Sequence, residues 1–219
     1  MSFAERGAGV DDFRLPQQGS EGGLEPVKAR VRQALDTMIG ATQAVRHHAP
    51  ALSARLRGPL GRLVGAGQVR DAFDQRISHI ETAIDRAGTL GGVEAAAALT
   101  VVGAQLLEIV ALLEKTAETA AAAFVQIDAA ATEKVELLGC EASHRIGEIV
   151  RDGQRAAAAL NSLGERLAAE AAAHSALVDR GIPTDAMTNV DLSWMMALYT
   201  MDEERRVHLR ALARSIGGI

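Results

Sequence analysis

The chain has 219 residues, 48% of them hydrophobic but only 3% aromatic, with 23 Lys and Arg against 28 Asp and Glu for a formal net charge of -5. The two signs are interspersed, so no basic patch advertises nucleic acid or an anionic membrane surface as a partner. A single cysteine, Cys140, excludes an intramolecular disulfide and suits a reducing cytosol, and with no stretch of about 18 charge-free apolar residues, no membrane insertion is predicted.

Alanine supplies much of the apolar content; it is the best helix former and a poor filler of globular cores. Strand-like alternation of Val, Ile, Tyr and Phe is absent, so the fold class predicted is all-α. Residues 1–24 are rich in Gly, Gln and Asp and read as a flexible N-terminal arm. They lack the basic segment and apolar run of a signal peptide, which makes the cytoplasm the expected location.

Residues 25–66 read as an N-terminal helical segment, with Pro26 in its first turn and Val27, Val31, Leu35 and Met38 at helical spacing. Pro50 and Pro59 are expected to break or kink it, leaving a short piece between two bends. Residues 67–180 read as a long helical hairpin. Its first helix covers about 67–87, GTLGG at 88–92 makes a tight turn, and a second helical signal runs from Val93 to about Val178. Leu99, Val102, Leu106, Ile109, Leu113, Thr116, Ala120, Ala123 and Ile127 alternate spacings of three and four, a coiled-coil seam. Gly139, Gly147 and Gly153 weaken the later half, where a bend or break is expected, and Cys140 is expected to pack into the seam. Residues 181–190 read as a linker. Residues 191–219 read as a C-terminal amphipathic helix whose Trp194, Tyr199 and Met201 suit either bundle packing or docking on a partner.

Candidate chemistry is concentrated in QVRDAFDQRISHIETAI, residues 68–84. Asp71, Gln75 and His79 stand four apart and project from one face of a helix. Val69, Phe73, Ile77, Ile80 and Ile84 fall mostly on the other side. A carboxylate one turn from a carboxamide can grip a partner's cation and orient a water at a phosphoryl group; the plain alternative is a solvated helix face. His79 could instead accept a phosphoryl group, although SHIE lacks the glutamate directly after histidine that dimeric histidine kinases carry. His47 and His48 are adjacent and point apart on a helix, so they cannot share a metal. No cluster has zinc-site spacing, and no metal or cofactor of the protein's own is expected. GRLVGAG lacks both the strand–loop–helix setting and the lysine–serine ending of a phosphate-binding loop.

The stretch DAFDQ resembles the Asp-x-x-x-Gln signature of the CheZ family of chemotaxis phosphatases. The ordered pair DAFDQRISHI and, far downstream, ALYTMDEERRVH is similar to CheZ-related proteins of alphaproteobacterial chemotaxis clusters. That resemblance implies a dimeric, elongated helical bundle that speeds dephosphorylation of a CheY-type response regulator. It implies that Gln75 enters the regulator's active site and orients the attacking water, and that Asp71 contacts the lysine beside the phosphoaspartate. Mg²⁺ would be supplied by the regulator. Asp74, Arg76 and His79, together with Trp194, Tyr199 and Met201, are the candidate partner-binding residues. Arg70 and Asp74 depart from the family pattern, the first as a cation before Asp71 and the second as an extra acid beside Gln75. The expected architecture is an elongated hairpin, two copies of which make a four-helix bundle. The thin alanine seam favours that homodimer over a lone hairpin. Two other functions fit the same residues: a non-catalytic adaptor or scaffold binding chemotaxis proteins, and a phosphotransfer protein acting through His79.

Overall fold

A computed structural model describes residues 24–179, and among them every regular element is helical. The order is α1 (Leu24–His48), a 3₁₀ turn (Pro50–Leu52), α2 (Ser53–Gly67), α3 (Val69–Ala87), α4 (Gly92–Glu133), the short α5 (Val135–Leu138) and α6 (Cys140–Asp179). The described residues divide into two compact units, a larger one of 24–78 with 103–173 and a smaller one of 79–102 with 174–179.

Within the larger unit α1 runs antiparallel to α3, α2 to α4 and α4 to α6. As the numbering rises from Arg32 to Asp36 on α1, it falls from Asp74 to Arg70 on α3, the two pairs each at 2.6 Å. Arg55 on α2 meets Glu133 on α4 at 2.8 Å, and Arg62 bonds Gln126 one step further on, again in opposite directions. On α6, Gly164 lies against Val110 of α4 and Gly153 against Phe124. Residues 26–66 therefore pack onto the hairpin instead of standing apart from it. Val27, Val31, Leu35 and Met38 are all buried, as their spacing predicts.

The seam predicted on α4 is the core in both units: Leu99 and Val102 are buried in the smaller, and Leu106, Ile109, Leu113, Thr116, Ala120, Ala123 and Ile127 in the larger. Each large apolar side chain enclosed there contributes about 1.5–3 kcal/mol. Thr116 is tolerated because its hydroxyl donates to the Leu112 carbonyl one turn earlier, at 2.7 Å. By length and composition α4 is apolar enough to cross a membrane. Glu108 interrupts its apolar stretch, and Leu99, Leu106, Ile109, Leu113, Phe124 and Ile127 are buried within the protein.

The interruptions differ in part from the sequence expectation. Pro50 opens the 3₁₀ turn that ends α1, but Pro59 lies inside α2 without stopping it. Gly58 precedes Pro59, and the steric conflict that pushes a residue out of the helical region before proline is relieved where that residue has no Cβ. GTLGG does turn the chain: the Gly88, Thr89 and Leu90 amides donate to Ile84, Arg86 and Ala87 carbonyls at 3.0–3.1 Å, and Gly92 has φ 49°. The late-half break falls at Lys134 and Gly139, whose φ of 79° only glycine adopts without strain. Gly147 and Gly153 continue within α6. Cys140 is exposed rather than in the seam, because it starts a new helix just after that break.

Candidate functional site

Helix α3 owes its orientation to one apolar face. Phe73 and Ile77 are buried in the larger unit, with Ile80, Ala83 and Ala87 continuing that face in the smaller. At 3.6 residues per turn, Asp71 and Gln75 each lie two residues from Phe73 and so about 160° around the helix from it. Asp71 is exposed, and Gln75 is half-buried. Among the described residues, no side-chain hydrogen bond or ion pair engages either one. The acid and the amide thus stand one turn apart on the face turned away from the core.

The flanks of α3 are occupied by its neighbours. On one side Arg70 donates to Asp36 and Asp74 accepts from Arg32, both at 2.6 Å and both to α1. On the other, Arg76 reaches Glu108 of α4 at 4.0 Å. The two departures from the CheZ pattern, Arg70 and Asp74, are therefore used within the chain. Asp74, with 29% of its side chain exposed, is neutralised by Arg32 and does not compete with Asp71 for an incoming cation. Arg70 is directed to Asp36.

These latches were missed in the sequence, although a signal for them exists. RQALD at 32–36 and RDAFD at 70–74 repeat one pattern, arginine and aspartate four apart around a buried Leu35 or Phe73. Run antiparallel, two copies of that pattern set each arginine against the other's aspartate.

Asp71 also forms one end of a groove of about 310 Å³ that α1 and α2 line with Thr42, Arg46, Leu63 and Val64. His79 belongs to the smaller unit and is half-buried, with Nδ1 enclosed. Trp194, Tyr199 and Met201 lie outside the described residues. His47 and His48, expected to point apart, hold their rings edge to face with centroids 5.0 Å apart; they sit in the last turn of α1, where the chain is about to leave the helix. Among the described residues no group of three or more His, Cys, Asp or Glu gathers as a metal site. No family model, no curated protein and no solved structure matches the chain.

Proposed function

We propose that this protein is an auxiliary phosphatase that accelerates dephosphorylation of a CheY-type response regulator. The observation that carries the reading is the Asp71–Gln75 pair on the outward face of α3, one turn apart and uncommitted among the described residues, between flanks that fix the helix. Docked on a regulator, the Asp71 carboxylate meets the lysine beside the phosphoaspartate. The Gln75 amide, donor and acceptor at once, holds a water in line with the phosphorus. Phosphoryl transfer asks for alignment and charge stabilisation more than for covalent help. The regulator's own carboxylates and Mg²⁺ supply the charge, and the amide supplies alignment, whose loss costs about a hundredfold in rate.

In this reading the larger unit is a four-helix bundle formed within one chain from α1, α2 with the start of α3, α4 and α6. A homodimer in the cytoplasm is the assembly in which it works. The half-enclosed imidazole of His79 makes it a poorer phosphoryl acceptor than one standing in solvent. A non-catalytic adaptor uses the same outward face, and it is separated by one experiment. Phosphate release from phosphorylated CheY-type receiver domains is followed with and without the full chain. Acceleration supports the phosphatase; binding without acceleration leaves the adaptor.

A further inference from the structure

The groove that ends at Asp71 does not stop at its own walls. A second cavity, of about 580 Å³, lies along α1 and α2 and shares Arg46 and Val64 with the first, so the two grooves adjoin at those side chains and together make up a channel. Val64, at their junction, leaves 47% of its surface in solvent. Gly61 on the wall of the second cavity keeps it open: a Cβ there would meet nothing within 4 Å. Arg57 lines the α1–α2 end, Arg46 the junction and Asp71 the α3 end, and among the described residues none of the three has an ion-pair partner. Because α2 and α3 join almost without a break at Gln68, the 14 residues between Arg57 and Asp71 span roughly 20 Å at the helical rise.

We propose that this channel is the docking surface for the phosphorylated regulator, taking a surface segment that carries apolar side chains rimmed by carboxylates about 20 Å from the lysine that meets Asp71. The proposal rests on the phosphatase reading and says where the affinity arises. Apolar contact at Leu60 and Val64 and opposite charge at Arg46 and Arg57 hold the partner. Asp71 at the end of the channel, and Gln75 one turn beyond it, meet its active site. A single occupant whose charges run opposite to the channel's accounts for the apolar junction and for the unpaired charge at both ends.

The test measures two quantities on the full chain: affinity for CheY-type receiver domains of the same genome, loaded with beryllofluoride, and acceleration of phosphate release from the same domains. Gly61→Leu plugs the channel and folds at least as stably as wild type, since leucine is the better helix former. It is expected to weaken binding about tenfold or more, as loss of a central contact does. Arg57→Glu is expected to weaken binding and to lessen its salt dependence. Gln75→Ala is expected to keep wild-type affinity and to lose acceleration. Wild-type affinity in both Gly61→Leu and Arg57→Glu overturns the channel while leaving the phosphatase reading intact. Loss of binding in those variants, with no acceleration by wild type, upholds the channel and overturns the phosphatase. Absence of any binding by wild type overturns both.

Discussion

Gly153 tests the helix packing of the larger unit most sharply. A Cβ built on it overlaps the Cζ end of the Phe124 ring, which is itself fully buried. Replacing a mid-helix glycine by alanine ordinarily stabilises by about 1 kcal/mol, and Gly147 on the same helix, with nothing nearer than the end of the Arg151 side chain at 3.8 Å, should follow that rule. At Gly153 the added methyl forces the aromatic ring or the helix to move. Overpacking costs about 1–3 kcal/mol, and the depth of this overlap places it at the upper end. After the helix-propensity gain, Gly153→Ala is expected to destabilise by about 2 kcal/mol, or roughly 4–8 °C in Tm for a chain of this length. Urea and thermal denaturation followed by circular dichroism measure both variants. In a Phe124→Leu background, where the ring is gone, Gly153→Ala should lose most of its cost. Equal stabilisation by Gly147→Ala and Gly153→Ala would show that α4 and α6 do not approach as described.

Three further outcomes follow from named contacts. Exchanging the charges of one latch, Arg32→Asp with Asp74→Arg, should restore part of what either single change loses, with a coupling of about 0.5 kcal/mol that salt removes; a double-mutant cycle in urea measures it. Gly139→Ala should destabilise by about 1 kcal/mol, because alanine is strained at the positive φ that joins α5 to α6; neutral behaviour in denaturation would contradict that backbone. Glu133 is held below its ordinary carboxylate value of 4.5, first by the hydrogen bond from Arg55 and then by that guanidinium's charge and by Lys134. Its folded pKa is the lower one, so its contribution is present at neutral pH and fades as the pH falls below 4.5. Glu133→Gln should therefore flatten the acid limb of stability at low salt and have no effect at high salt, where exposed pairs are screened.

Much of this fold can be read from residue spacing, because apolar residues three and four apart have one helical solution. Every member of the seam from Leu99 to Ile127 is buried, as are the four spaced residues of α1. The outward face of α3 was legible for the same reason: Phe73 and Ile77 settle which side is the core, and Asp71 and Gln75 then have only the other. Contacts between helices were less legible. The role of Arg70 and Asp74 depends on α1 lying alongside with Asp36 and Arg32 in register, which no local pattern states. Proline and glycine act through tertiary context as well. Pro59 is accommodated after a glycine, Gly153 sits where a ring needs room, and only Gly139 among the late glycines actually breaks the chain. Cys140 follows from that break and not from its own side chain.

The central claim is that one carboxamide on α3 aligns a water for another protein's aspartyl phosphate. The most direct measurement is the rate of phosphate loss from a phosphorylated CheY-type receiver domain at saturating amounts of this protein, wild type against Gln75→Ala. The account predicts that the wild type speeds hydrolysis and that the variant, still folded and still bound, loses about a hundredfold of that effect. Equal acceleration by Gln75→Ala would contradict it and remove α3 from the chemistry.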